Sequence, residues 1–127
     1  MKVLDTCVWI ESLLGTATGT RYQGLLLDTA QLIVPTLVHY ELRRWALREY
    51  GSEHADNIQA GLQATTTAPL EEVIALLAAD LAMSHKLATA DAIIYATALR
   101  HNATLVTCDA HFSGLPGVDY LPKVAAS

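Results

Sequence analysis

The stretch Thr89–Phe112, TADAIIYATALRHNATLVTCDAHF, carries the clearest structural pattern in the chain. Thr89 is suited to cap a helix running through ADAIIYATALRHN, and Asn102 suits its left-handed end. Thr104–Thr107 (TLVT) is short, apolar and β-branched, the composition of a buried strand. Asp91 falls in the first turn of that helix, and Asp109 lies just past the strand. A helix leading straight into a buried strand is one half of an α/β repeat.

The same alternation extends outward. Lys2–Asp5 reads as a short buried strand, followed by an amphipathic helix over Thr6–Leu14. GTATG reads as a loop, Arg21–Ala30 as a second helix, and Gln31–Val34 as a strand ending at Pro35. Thr36 is placed to cap a helix reaching about Tyr50. A polar stretch from Gly51 opens another helix, which TTTAPL interrupts with β-branched residues and a proline. Pro69 fits the first helical position before LEEVIALLAADLAMSHK, and a last short strand is expected near Val118–Leu121 after the GLPG turn. Short apolar strands alternating with helices imply an α/β fold, a parallel sheet with helices on both faces. In such sheets ligands bind outside the carboxyl ends of the strands.

Composition supports one domain over residues 1–127. Apolar residues make up 52% of the 127 and charged residues only 17%, enough for a core and too little charge for disorder. The net charge of −5 offers no electrostatic net for nucleic acid, so a nucleic-acid substrate would need a local basic edge or bound metal ions. Two cysteines, Cys7 and Cys108, make no secreted disulfide framework and read as small buried apolar residues. There is no apolar leader and no run near the roughly 18 residues of a membrane span. A cytoplasmic location without membrane contact is expected.

Four carboxylates fall where the strand-end rule looks for a site. Asp5 closes the first strand, Asp109 follows Thr104–Thr107, Asp91 starts a helix, and Glu41 lies in the helix that begins at Thr36. Each has an ordinary reading. Aspartates after strands and in first turns are common helix caps, favoured by the macrodipole. Glu41 shares a face with Leu37, Val38 and Trp45, where an ion pair to Arg44 or Arg48 is the ordinary alternative. Together they have another. Two carboxylates about 5 Å apart repel by about 3 kcal/mol at an effective dielectric near 20, so clustering them makes sense around a hard cation. Oxygen-only ligation suits Mg²⁺ or Mn²⁺. Without the ion, repulsion is expected to raise at least one carboxylate pKa.

LDTCVWIE, then YEL, then ATADAIIYATALRHNATLVTCDAHF, resembles a PIN-domain ribonuclease of the VapC toxin type from Val3 to about Leu121. The most specific part is D-A-I-I-x-A-T-A followed by L-V-T-x-D-x-x-F. The resemblance implies a three-layer α/β/α domain with a short central parallel sheet. It further implies a Mg²⁺- or Mn²⁺-dependent endoribonuclease that hydrolyses RNA phosphodiester bonds as the toxin of a toxin–antitoxin pair. A cognate antitoxin protein and a homodimer are the implied partners. The acidic positions of the family match Asp5, Glu41, Asp91 and Asp109, with Asp5 and Asp91 as direct ligands and Asp109 and Glu41 acting through metal-bound water. Thr107 matches a hydroxyl residue that orients a ligand or water. Cys7 departs from the family, which often has Ser or Asn there.

His39, His54, His85, His101 and His111 show no metal-binding spacing. His111, nearest the acidic residues in sequence, reads as a surface histidine, with a proton or substrate role as the alternative. Arg43, Arg44 and Arg48 are candidates for RNA phosphate contacts, or simply solvate a helix face. Trp9 and Trp45 read as core or interface anchors. Two other functions stay open: a PIN-fold binding domain without catalysis, and an aspartyl-phosphate phosphatase or receiver with Asp5 as nucleophile. The second usually needs a lysine beside the phosphoryl group, and Lys2, Lys86 and Lys123 lie at no convincing strand end.

Overall fold

A computed structural model describes residues 1–125. Five short strands form one sheet: β1 (Lys2–Leu4), β2 (Leu32–Pro35), β3 (Thr66–Ala68), β4 (Thr104–Thr107) and β5 (Val118–Tyr120). Their order is β3-β2-β1-β4-β5, and every pair is parallel. Val3 sits between Ile33 on one side and Leu105 on the other. Val3, Leu4, Leu32, Ile33, Val34, Leu105 and Val106 are all buried. Strands apolar on both faces need cover on both faces, and the helices supply it in a three-layer α/β/α arrangement.

The helices are α1 (Thr6–Leu14), α2 (Ala17–Thr20), α3 (Gln23–Leu27), α4 (Thr36–Glu49), α5 (Ser52–Gly61), α6 (Glu72–His85) and α7 (Thr89–Arg100). The chain steps outward from β1 through β2 to β3. The α6–α7 pair then carries it back to β4, on the other side of β1. Strand order therefore reverses between β1 and β4, the place where open parallel sheets form their ligand crevice. Asp5 and Asp109 stand just beyond the ends of those two strands.

Several local expectations change. TTTAPL is not merely an interruption: Thr66–Ala68 pairs with Ile33–Pro35 as an edge strand. Pro69 lies outside α6, which starts after Glu71 in extended conformation. Within GTATG, the Thr16 hydroxyl accepts the Gly19 N–H at 3.0 Å and caps the short helix α2. Arg21–Ala30 does not form one helix, because α3 ends at Asp28 (φ −105°, ψ 65°) and a 3₁₀ turn follows over Thr29–Gln31. Thr36 and Thr89 are the first helical residues of α4 and α7 rather than their caps, which are Pro35 and Ala88. Asn102 does take the left-handed conformation, at φ 53°.

Candidate metal centre

Asp5 is positioned by strand pairing and by its own helix. Its backbone N–H donates to the Val106 carbonyl at 2.9 Å, which fixes it against β4. Its extended backbone (φ −61°, ψ 154°) caps α1, with Oδ1 accepting the Thr6 N–H at 2.8 Å. Oδ2 accepts the Thr107 hydroxyl at 2.8 Å and the Cys7 thiol at 3.6 Å. The residue is only 5% exposed. Burial raises its pKa above the usual range, against the pull of these hydrogen bonds.

Thr107 also serves Asp109. Its hydroxyl oxygen accepts the Asp109 N–H at 3.0 Å, so one buried side chain links the ends of β1 and β4. Asp109 Oδ1 accepts the His111 N–H at 2.9 Å, capping a 3₁₀ turn over Ala110–Phe112. His111 Nδ1 lies 2.8 Å from the same oxygen. The helix-cap reading is thus correct for Asp5 and Asp109. It leaves their remaining carboxylate lone pairs free for other partners.

Asp91 enters from the first turn of α7. Its carboxyl pKa is raised to about 6, first by burial, then by the charges of Asp5 and Asp109, with Glu41 contributing less and His111 opposing. The repulsion expected from the sequence contributes, and burial contributes more. Oxygens of Asp91 and Asp109 and a ring nitrogen of His111 lie within 4.8 Å of one another. Glu41 approaches from α4, where its Oε1 accepts the Thr6 hydroxyl at 2.8 Å. Among the described residues it forms no ion pair with Arg44 or Arg48.

Three features were not recognised from sequence. Thr6 follows Asp5 directly, and its hydroxyl holds Glu41; a hydroxyl just after a strand-end acid was the available signal. His111 completes a triad with two of the acids, which its spacing of two from Asp109 hinted at. Cys7 and Cys108 bring their sulfurs to 3.0 Å across a separation of 101 residues, Cys108 donating to Cys7 and neither cysteine in a disulfide. The contact with Cys108 and burial push the Cys7 thiol far up, while the contact with Cys7 lowers Cys108.

The arginines stand at the rim. Thr6, Ile10, Tyr40, Glu41, Arg44, Trp45 and Arg48 line a groove of about 230 Å³. Arg43 pairs with Asp56 at 3.1 Å and Arg48 with Glu49 at 3.2 Å, both on exposed surface. Such pairs exchange readily for other partners, being worth at most about 1 kcal/mol.

The family model of the PIN domain matches residues 2–118. The chain belongs to the PIN-domain family. No curated protein matches this PIN domain. Among solved structures it is similar to a toxin–antitoxin complex from Klebsiella pneumoniae, with 25% identity and a TM-score of 0.82 over 94% of this chain and 96% of that one. FitAcB from Neisseria gonorrhoeae is 24% identical, with a TM-score of 0.73 over 94% and 96% of the two chains. The sarcin–ricin-loop-cleaving toxin VapC20 of Mycobacterium tuberculosis is 16% identical, with a TM-score of 0.73 over 91% and 95%.

The donor set of this PIN domain fits a hard divalent cation. It is carboxylate oxygen with one imidazole nitrogen nearby, drawn together in spite of mutual repulsion, and one acid is held near a pKa of about 6.

Proposed function

We propose that this PIN domain is a Mg²⁺- or Mn²⁺-dependent endoribonuclease, acting in the cytoplasm as the toxin of a toxin–antitoxin pair. The observation that carries this is the approach of Asp91 to Asp109 and Asp5 at the β1–β4 crevice, with charge strain on Asp91 that a cation would relieve. Asp5, Asp91 and Asp109 would hold the ion, with Glu41 tethered by Thr6 at the same mouth. When bound, the cation supplies a Lewis acid for phosphodiester hydrolysis. Asp5 is the fixed member, both of its oxygens already anchored. Asp91 has no hydrogen bond among the described residues and is the most available acid. Thr107 holds Asp5 and Asp109 in register. Arg44 and Arg48, on the groove that also contains Glu41, are placed to meet RNA phosphates, and Arg43 extends that edge.

The partner follows from the similar structures, one of which is a toxin–antitoxin complex. An antitoxin protein is therefore proposed for this chain, and a homodimer beside it. Exposed Leu13 and Leu14 on α1, Tyr40 and Leu47 on α4, and Val73, Leu76 and Met83 on α6 supply apolar faces for such contacts. The aspartyl-phosphate alternative is weakened by the burial of Asp5, and by Lys123 being engaged with Glu11 at 3.6 Å.

The test is incubation of the purified protein with RNA in Mn²⁺, Mg²⁺ or EDTA, with mapping of the new 5′ ends. Cleavage at defined positions should require the metal. In Asp91→Asn it should drop by more than about a hundredfold, the upper end of what is lost when a supporting partner of a metal ligand is removed. Cleavage that persists in EDTA, or in a folded Asp91→Asn protein, would exclude this reading.

A further inference from the structure

We infer that Cys7 and Cys108 form an oxidisable thiol pair whose disulfide disables the acidic site. The two sulfurs lie 3.0 Å apart. A disulfide needs about 2.05 Å, so bonding requires roughly 1 Å of further approach by the two sulfurs. Both residues sit on fixed backbone: Cys7 in the first turn of α1, Cys108 directly after β4. Cys7 is half-buried and Cys108 buried, so a small oxidant reaches the pair from the Cys7 side.

The chemistry balances with a peroxide as the two-electron oxidant. One sulfur of the pair attacks a peroxide oxygen, the O–O bond breaks, and the thiol proton leaves with the departing oxygen as water. The sulfenic acid so formed lies against the other sulfur. That sulfur displaces the hydroxyl group, the second thiol proton completes another water, and the S–S bond closes. A thiol reductant reverses the change by exchange.

The consequence for the site follows from what Cys7 touches. In the reduced protein its S–H reaches Asp5 Oδ2 at 3.6 Å and its sulfur contacts the Thr107 hydroxyl at 3.7 Å. The disulfide removes that donor. It also moves the sulfur that touches Asp5 and Thr107, the two residues whose hydrogen bond joins the ends of β1 and β4. The effect on cleavage rests on the ribonuclease reading above; the bond itself does not.

The test treats the protein with hydrogen peroxide, then blocks free thiols, maps peptides by mass, and assays RNA cleavage in Mn²⁺ before and after dithiothreitol. The expected result is a Cys7–Cys108 linked peptide lacking two hydrogens, at least tenfold slower cleavage, and recovery on reduction. Cys108→Ala should cleave as the reduced protein does and no longer lose activity reversibly with peroxide. Two free thiols after treatment, oxidation of Cys7 without a link, or a link between two chains would overturn the pairing. A linked protein that cleaves as fast as the reduced one would overturn the switch. Inactivity of the reduced protein would instead count against the ribonuclease reading, and the peptide map would still decide the bond.

Discussion

The Thr107 hydroxyl donates to Asp5 Oδ2 at 2.8 Å, joining residues 102 positions apart in the chain. The same oxygen accepts the Asp109 N–H, so a single fully buried atom sets the relative position of two site acids. Thr107→Val keeps the shape and deletes both bonds. Leaving a buried carboxylate short of a donor should cost about 1–3 kcal/mol, read as a lower urea midpoint. RNA cleavage should fall by about 10–100-fold, while Thr107→Ser keeps most of both. Normal stability and cleavage in the valine variant would show that the hydroxyl does not position the acids.

Thr6 has the matching role for Glu41. Its hydroxyl donates to Glu41 Oε1 at 2.8 Å from a half-buried position. Thr6→Val should release the glutamate and slow cleavage by about tenfold, the lower end for a supporting partner. Thermal stability should change little, since a part-exposed hydrogen bond contributes about 1 kcal/mol. If cleavage by the Thr6→Val protein matches wild type, Glu41 does not depend on this tether.

The acidic site gives metal-free stability an unusual pH dependence. Asp91 has its pKa raised from 3.8 to about 6 in the folded protein, and that of Asp5 is raised too. An acid with a raised folded pKa binds its proton more tightly when folded. Its contribution is therefore fully present below about pH 4 and is lost as pH rises through about 6. Discounted for the solvent screening of a half-buried group, the Asp91 part is on the order of 2 kcal/mol. In EDTA the melting temperature should decline between pH 4 and 7, and Asp91→Asn should flatten the decline. Mn²⁺ at about one hundred times its dissociation constant should restore about 2.7 kcal/mol at pH 7. A wild-type curve that ignores Mn²⁺ would mean that these acids bind no ion.

Gly19 shows how closely α2 lies on α1. A Cβ at this position would run into the backbone carbonyl of Glu11, which cannot move without breaking its helix. Gly19→Ala should destabilise the domain by about 1–3 kcal/mol, as overpacking does. Gly24→Ala, where a Cβ meets open space, is the control. Equal denaturation midpoints for the two variants would refute the close approach.

Much of this was legible in the chain because periodicity and strand-end acids are local signals. β1, α1, β2, α4, α7 and β4 fall where apolar runs and turn residues predict them, and the parallel sheet follows from their alternation. The failures have specific causes. β3 is an edge strand whose Thr66 and Thr67 are exposed, so it lacks the apolar pattern of a buried strand. The helix expected over Arg21–Ala30 fails because Asp28 takes a non-helical conformation between two apolar stretches. At the site, the acids were visible as residue types, but their partners were not. The Thr6–Glu41 bond, the Thr107 bridge and the sulfur pair join segments dozens of residues apart, and only the folded chain brings them together.

Sheet order also constrains when the site can exist. β1 is made first, yet it is the central strand, and its β4 neighbour comes about a hundred residues later. Contacts between segments so distant form late, after the chain between them has been synthesised. On the ribosome, then, Asp5 has neither Thr107 nor Asp109 to face until the chain has been made through β4. A nascent chain halted before Thr104 should be inert toward RNA in a cell-free translation, even with α1 and α4 already exposed. On the ribonuclease reading, a chain assembled in this order cannot attack RNA through this site before β4 has been made.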